Sequence, residues 1–383
     1  MSLSPAEIRR YSRQMVIPEV GRQGQERLKA ASVLMVGAGG LGSPAALYLA
    51  AAGVGRLGIV EFDSVDLSNL QRQILYSEAD VGRPKLAAAS RRLAEVNPHL
   101  ELVPIAERFS KQNALELVAD YDVIVDGSDN FATRYLVNDA CVLAGGKPDV
   151  FGSVLRFEGQ VSIFATAEGP CYRCLFPEPP PPGLVPSCAE GGVFGVLPGI
   201  IGAFQAHQAI QWILGLGEPL VGRFLVFDGL GSSFREIQLD RNPNCPICSA
   251  EPTLRELTDY DDLCTETGTE PPDGAGELPF DVEATQVGGW LGTGRDFLFL
   301  DVRTPMEFSI ARVEGTTLLP LNELPGRFSE LERDRETVVM CHHGIRSAQA
   351  VAFLRQQGFT NVRNLAGGID SWSRAVDSSI PLY

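Results

Sequence analysis

Ala31-Ser32-Val33-Leu34-Met35-Val36-Gly37-Ala38-Gly39-Gly40-Leu41-Gly42 is the stretch that decides the fold of the longer part of this chain. A short apolar run ends in a glycine cluster, and residues 43–52 follow with a helix-forming composition rich in alanine and leucine. Strand, glycine turn and helix N-terminus in that order bring backbone amides to where phosphate groups can meet them. A second apolar run, Leu57-Gly58-Ile59-Val60, ends at Glu61, about twenty residues on, where an acid can hold ribose hydroxyls. On these residues alone a nicotinamide dinucleotide site is the leading reading, because a lone glycine pattern of this kind is weakly specific.

The residues beyond Glu61 discriminate. Glu61-Phe62-Asp63 runs into Ser64-Val65-Asp66-Leu67-Ser68-Asn69-Leu70-Gln71-Arg72-Gln73, followed by Gly82-Arg83-Pro84-Lys85. Arg72 and Lys85 place two cations just past the first nucleotide-binding unit; a redox dinucleotide does not need them, whereas a triphosphate with a leaving pyrophosphate does. A later run, Val123-Ile124-Val125, ends in Asp126-Gly127-Ser128-Asp129-Asn130, an acid at the same sheet edge able to hold Mg2+ together with phosphate oxygens. With these motifs the segment resembles the ThiF/MoeB-type adenylyltransferases, bacterial relatives of ubiquitin-activating enzymes. Their pattern is Gly-x-Gly-Gly-Leu-Gly, an acid, Asn-Leu-x-Arg-Gln, Pro-Lys and Asp-Asn.

The resemblance runs through nearly all of residues 1–248 and implies an ATP site. Gly40 would contact phosphate and Glu61 would hold the ribose. Ser68, Asn69, Leu70, Gln71, Arg72, Lys85, Asp129 and Asn130 would bind the nucleotide. Among them Asn69, Arg72 and Lys85 would take the triphosphate, and Asp129 would take Mg2+ near the reacting α-phosphate, which makes Arg72 and Asp129 catalytic. Glu61 departs from the more frequent aspartate, so its ribose contact would be reached differently. Tyr11-Ser12-Arg13-Gln14 matches a motif whose arginine reaches the nucleotide of the other subunit in a homodimer. A surface helix residue is the other reading of Arg13.

Cys171-Tyr172-Arg173-Cys174 and Cys245-Pro246-Ile247-Cys248 are two Cys-x-x-Cys pairs in loops. Four thiolates at this spacing make a closed tetrahedral Zn2+ site, structural because no further ligand or open position is visible. Such a clamp would pin the proline-rich residues 177–186 to the end of the domain. Disulfides are the alternative, disfavoured by a reducing compartment. Cys188 stays outside the clamp. Relatives carry a cysteine here that in some forms a thioester or acyl-disulfide with the activated partner and in others is dispensable; both roles stay open for Cys188. Cys141, in an apolar helical stretch, and Cys264, in an acidic one, have no supporting context.

Cys341-His342-His343-Gly344-Ile345-Arg346 follows the apolar run Thr337-Val338-Val339-Met340 and precedes helix-forming residues 347–354. A cysteine at a strand end, a short glycine loop, an arginine and a helix start build an anion cradle, in which amides and the helix N-terminus favour negative charge on sulfur. Arg346 keeps its proton and adds a fixed positive charge. Four residues separate Cys341 from Arg346, one fewer than in tyrosine phosphatases, and the smaller ring suits a sulfur atom. Together with Phe297-Leu298-Phe299-Leu300-Asp301-Val302-Arg303, Glu307-Phe308, Gly315, Asn364-Leu365-Ala366-Gly367-Gly368-Ile369 and Trp372, the loop resembles the rhodanese family, whose signature is Cys-x-x-Gly-x-Arg-Ser. That resemblance implies that Cys341 carries a persulfide held with the help of Arg346. His342 and His343 either lower the thiol pKa by being protonated or are solvated loop residues.

The chain has 383 residues, 44% hydrophobic and 21% charged, with a formal net charge of −16, which describes a soluble protein of two or three domains. The acidity argues against nucleic acid as a partner, since phosphate binding needs a basic face. Residues 193–214 are the most apolar stretch, but Pro198 and the polar Gln205, His207, Gln208 and Gln211 make it a buried or interface helix rather than a membrane span. The polar Glu7-Ile8-Arg9-Arg10 leads us to expect no signal peptide, and the cysteine usage points to a reducing cytoplasm. Residues 249–277 are acidic, with Arg255 alone basic, and read as a flexible tether that keeps two active sites near one another.

The expected architecture is therefore a Rossmann-like, doubly wound α/β ATP-binding domain over residues 1–248, the tether, and a small α/β rhodanese domain over 278–383, both with mainly parallel sheets. The two chemistries form a sequence: ATP activates a carboxylate, and a Cys341 persulfide then supplies sulfur to give a thiocarboxylate. By resemblance the acceptor is a small ubiquitin-like sulfur-carrier protein ending in Gly-Gly, as in molybdopterin biosynthesis and related thiolation pathways. The persulfide donor would be a cysteine desulfurase or thiosulfate. The competing reading is an adenylating enzyme whose second domain only docks partners or senses redox state; the intact Gly344-Ile345-Arg346-Ser347 turn argues against it.

Overall fold

Short runs of buried apolar residues, apolar on both sides rather than alternating, form parallel strands covered by helices on each face. In the computed structural model, which describes residues 2–180, 192–258 and 280–383, the quoted strand β1 (Ser32–Val36) lies inside an eight-stranded sheet. Its companions are β2 (Arg56–Val60), β3 (Glu101–Ile105), β4 (Val123–Asp126), β5 (Asp149–Leu155), β6 (Glu158–Phe164), β7 (Arg223–Asp228) and β8 (Ser233–Gln238). The strand order is β3-β2-β1-β4-β5-β6-β7-β8. The chain leaves β1 toward β2 on one side and returns to β4 on the other, so the order reverses between β1 and β4. A crevice opens at the carboxyl ends of the strands where such a reversal occurs. Register aligns those ends: Val36 lies opposite Val60 and Asp126.

Alternate residues of the strands feed two cores. Val33 and Met35 join Leu49 and Ala50 of helix Gly42–Ala52, Leu93 of helix Lys85–Val96, and Ala206 and Ala209 of helix Val196–Leu214. Leu34 and Val36 face the opposite layer, with Tyr135, Val137 and Cys141 of helix Phe131–Leu143 and an aromatic group of Phe151, Phe164 and Phe224. Each large aliphatic side chain buried in this way contributes about 1.5–3 kcal/mol. Pro198 does not break its helix as the apolar stretch suggested: it sits in the first turn of Val196–Leu214, where a missing N–H costs nothing. From β5 onward the pairing is antiparallel, through β6 and β7 to β8, whose residues are all exposed.

The chain divides into units Met1–Thr265 and Glu266–Tyr383. The second unit holds a five-stranded, all-parallel sheet in the order β11-β10-β12-β13-β9, formed by β9 (Asp281–Val282), β10 (Leu298–Asp301), β11 (Thr317–Leu318), β12 (Thr337–Met340) and β13 (Val362–Leu365). Val287 of helix Ala284–Thr293 and Trp372 of helix Gly368–Ala375 cover one face; Ala350, Val351 and Leu354 of helix Ile345–Gln356 cover the other. At the end of β10, Asp301 and Arg303 form a fully buried ion pair, and Arg303 also donates to the Ala311 carbonyl at 2.8 Å. No helix among the described residues is long and apolar enough to cross a membrane.

The glycine turn after β1 is closed too tightly for side chains: a Cβ on Gly42 would stand 2.2 Å from the Gly37 carbonyl oxygen. Gly42→Ala is expected to lower the unfolding free energy of the first unit by about 2 kcal/mol. Gly199→Ala, the same change in open space within helix Val196–Leu214, is expected to stabilise it by about 0.5 kcal/mol. Urea denaturation of both variants checks the contrast.

Candidate functional site

The crevice at the ends of β1, β2 and β4 is a cleft of about 230 Å³. The backbone of Ala38 braces the glycine turn beside it. The Ala38 N–H donates to Glu61 Oε2 at 3.1 Å, while the Ala38 carbonyl accepts from Tyr76 Oη at 2.8 Å and from Ser43 Oγ at 3.3 Å. Burial raises the Tyr76 hydroxyl pKa, so it remains a donor throughout the physiological range. Glu61 Oε1 takes the amides of Phe62 and Asp63 at 2.9 and 3.0 Å, so this buried carboxylate ties the glycine turn to the end of β2. The extra methylene relative to aspartate gives Glu61 that reach.

Gly40, Glu61, Arg72, Lys85, Asp129 and Asn130 line the cleft together. Lys85, almost wholly buried, holds Asp63 at 3.1 Å, and Arg72 is steadied by the Ser68 carbonyl at 3.1 Å. A Cβ on Gly40 would press on Pro198 at 3.1 Å and on the Arg72 side chain at 3.4 Å, so glycine keeps the path to the turn amides open. Asn130 caps helix Phe131–Leu143 by accepting from the Thr133 amide at 2.9 Å, which leaves Asp129 at the helix mouth. Ser68, Asn69, Leu70 and Gln71 belong to the turn around Leu67–Asn69 and do not line the cleft; Ser68 instead bonds Asp66. Arg13 is exposed on helix Pro5–Met15 and is not a lining residue either. Cys188 and Cys264 lie outside the described residues.

Arg108, Arg134, Gln73 and Thr133 also line the cleft and were not anticipated. Arg134 follows Asn130 by one helical turn, a spacing that could have revealed it. Its guanidinium lies over Phe151 and 4.0 Å from Asp126, where burial pushes the carboxyls of Asp126 and Asp149 up. Four cations (Arg72, Lys85, Arg108 and Arg134) thus surround a cleft with three acids, Glu61, Asp63 and Asp129, in a chain of net charge −16. This local reversal of charge suits a polyanion.

Cys171, Cys174, Cys245 and Cys248 converge as free thiols with all Sγ atoms within 4.8 Å of one another, and neighbouring pairs 3.4 to 3.9 Å apart. A tetrahedral cation with Zn–S bonds of about 2.3 Å places its ligands about 3.8 Å apart, so the donor set fits a closed metal site.

In the second unit Cys341 directly follows β12, and its Sγ accepts from the Gly344 amide at 3.1 Å and from Ser347 Oγ at 3.3 Å. The loop is gripped from behind. Ile369 and Asp370 amides donate to the carbonyls of Cys341 and His342 at 2.9 and 3.1 Å, and a Cβ on Gly368 would strike both carbonyls. Arg346 arrives already paired: it donates to both oxygens of Glu307, at 2.9 and 2.6 Å. Glu307 is itself fixed in the capping box of helix Pro305–Ile310 by Thr304. Burial alone would raise the Glu307 pKa, but the bonds from Arg346 and Thr304 outweigh it and bring it to about 2. His342 is held low, at about 4, by burial first and by His343 next, so it is neutral at physiological pH and adds no charge beside the sulfur.

The Glu307 pair has a signed consequence for acid stability. A folded-state pKa of about 2 against an ordinary 4.5 means stability that is present above pH 4.5 and lost as the pH falls toward 2. Glu307→Gln is expected to destabilise the second unit at pH 7 by on the order of 3 kcal/mol and to converge on the wild type only as the pH reaches about 2, as read by urea denaturation at both ends.

Known proteins share both halves. The ThiF family matches residues 11–247, and the rhodanese-like domain matches residues 283–375. The chain is 44% identical over 389 residues to the probable adenylyltransferase/sulfurtransferase MoeZ of Mycobacterium tuberculosis, spanning 100% of this chain and 97% of that protein. It is 55% identical over 269 residues to the sulfur carrier protein adenylyltransferase of Thermus thermophilus, spanning 69% of this chain and 99% of that one. Among solved structures, MccB of E. coli has the same fold, with a TM-score of 0.58 at 23% identity over 67% of this chain and 76% of the other. Family matches over both units and full-length relatives at this identity agree with the two sites: the chain belongs to the ThiF family, carries a rhodanese-like domain behind it, and is an adenylyltransferase and sulfurtransferase.

Proposed function

We propose that the first unit uses ATP and Mg2+ to adenylate the C-terminal glycine of a small ubiquitin-like sulfur-carrier protein ending in Gly-Gly, and that a Cys341 persulfide turns the product into a thiocarboxylate. The observation that carries this reading is the joining, in one chain, of a four-cation cleft at a sheet switch point and a cysteine held by amide and hydroxyl donors. In the first step a carboxylate oxygen of the carrier attacks the α-phosphorus and pyrophosphate leaves. The glycine-turn amides at Gly40, with Arg72 and Lys85, balance the charge that gathers on the leaving group. Glu61 serves the ribose side; Asn69, with Ser68, Leu70 and Gln71, shapes the wall behind Arg72, and Asn130 holds Asp129 in place. Asp129 would hold Mg2+, which neutralises phosphate charge when bound. Arg13 would complete the neighbouring subunit's site in a homodimer.

In the second step the terminal sulfur of the Cys341 persulfide attacks the acyl-adenylate carbonyl and AMP leaves. The acyl group is then joined to Cys341 through a disulfide. A thiol reductant attacks the Cys341 sulfur, frees the thiocarboxylate and leaves a mixed disulfide that a second thiol resets; Cys188 is the candidate for a thioester or acyl-disulfide with the activated carrier on the way. Gly344, Ser347 and the Arg346–Glu307 pair keep the loop in the shape this needs. A cysteine desulfurase or thiosulfate reloads Cys341. The domain limits proposed are 1–248, an acidic tether over 249–277, and 278–383, in a reducing cytoplasm with neither nucleic acid nor membrane as partner. The four-cysteine site would hold a structural Zn2+.

Carrier-dependent ATP–pyrophosphate exchange is expected to fall by about 100-fold or more in Arg72→Ala and Asp129→Ala. Cys341→Ala is expected to keep exchange intact and to abolish thiosulfate:cyanide sulfur transfer. Wild-type protein without any Cys341-dependent transfer would instead favour a docking or redox-sensing second unit, and tight NAD binding without exchange would overturn the adenylation reading. Metal analysis is expected to find one zinc per chain, lost in Cys245→Ser together with a fall in Tm.

A further inference from the structure

Tyr383 lies against the sulfur loop in a way that neither the loop signature nor the proposed steps account for. Its ring is nearly parallel to that of His342, with 3° between planes and 4.4 Å between centroids. His342 in turn stacks on His343, at 24° and 4.1 Å. The outer end of this stack is anchored in the interior: Tyr383 Oη accepts a hydrogen bond from Nη1 of the fully buried Arg303, whose other nitrogens are committed to Asp301 and the Ala311 carbonyl. The stack therefore links the end of β10 to the loop after β12, its next neighbour in the sheet.

We propose that Tyr383 is a positioning residue for sulfur transfer, seating the His342 ring so that the Cys341 loop keeps one fixed wall and a constant charge. The inference rests on the sulfurtransferase reading of Cys341. The loop backbone is already clasped at the His342 carbonyl by the Asp370 amide; the stack adds the clasp on the side chain of the same residue. An aromatic plane at van der Waals distance excludes water from one face of the imidazole and leaves it less able to carry charge. The charged and titratable groups facing His342 come from every side: His343 on its own loop, Glu307 after β10, Arg303 at the end of β10, Arg346 on the following helix, Asp370 on helix Gly368–Ala375, and Tyr383 itself. Burial is first among the effects that keep His342 neutral, and Tyr383 supplies part of that cover. With the ring removed, His342 meets water and regains its ordinary protonation, which places a new positive charge next to the nucleophile.

The test uses the full-length protein with labelled histidines, four in the sequence, the His342 signal being assigned through His342→Gln. In the wild type, His342 is expected to titrate near 4, and thiosulfate:cyanide transfer is expected to show no limb from His342 above pH 5.5. In Tyr383→Ala, the His342 titration is expected to move up toward the ordinary 6.5 and kcat to fall about tenfold, with a new inflection in the pH profile at the shifted pKa. Tyr383→Phe, which keeps the plane and loses the bond to Arg303, is expected to hold His342 near its wild-type titration. His342→Gln is expected to reproduce the fall in kcat without the inflection, and the double variant to be no worse than either single one. An unmoved His342 titration in Tyr383→Ala, or additive losses in the double variant, would overturn the proposal. Absence of transfer in the wild type would strike the sulfurtransferase reading alone, because the titration needs no turnover.

Discussion

The backbone of Ala38 is the joint on which the nucleotide end of the first unit turns. Its N–H is taken by Glu61 and its carbonyl by Tyr76 and Ser43, so three separate parts of the chain converge on the backbone of one residue. The glycine turn cannot relax into those bonds unless Gly37 and Gly42 approach closely, and they approach only because neither bears a side chain. Gly39, Gly40 and Leu41 of the turn then line the cleft. A buried carboxylate with two of its three backbone bonds at its own strand end is held rigidly, and a rigid floor is what electrostatic catalysis requires of its dipoles.

Charge is organised differently in the two sites. The cleft gathers four cations against three acids within a strongly acidic chain, and so stays attractive to a triphosphate. The cysteine loop matches its charge instead: Arg346 meets Glu307, and Arg303 meets Asp301. Removing one member of such a buried pair leaves an uncompensated charge, which costs more than the pair contributes. The pairs therefore hold geometry, and the sulfur is left to its local donors, Gly344 and Ser347.

Much of this was readable in the chain because the decisive signals are local. Strand, glycine turn and helix stand next to one another in 31–52, and the Cys-x-x-Cys pairs and Cys341 loop are short patterns with fixed chemistry. Arg108 escaped because packing of distant segments brings it to the cleft, and Tyr76 because it meets the Ala38 carbonyl from 38 residues away, which no local window contains; Arg134 was within reach of its one-turn spacing from Asn130. The antiparallel continuation through β6, β7 and β8 escaped for another reason: β8 is exposed on both faces and shows no apolar alternation to betray it. Pro198 misled because proline is disruptive inside a helix and harmless in its first turn. The pairing of Arg346 with Glu307 is not legible in the chain because 39 positions separate them.

The Arg346–Glu307 pair also separates the two halves of the molecule by their response to added salt. A cleft lined by more cations than acids draws its polyanion through long-range attraction, which shortens from roughly 30 Å in dilute buffer to about 8 Å at physiological ionic strength. A cation bound in bidentate fashion to a carboxylate at 2.6 Å, both largely shielded from solvent, projects little field and loses little when ions are added. Ionic strength thus acts as a dial on nucleotide capture while leaving the sulfur loop almost untouched, and the two half-reactions can be tuned apart without altering a residue.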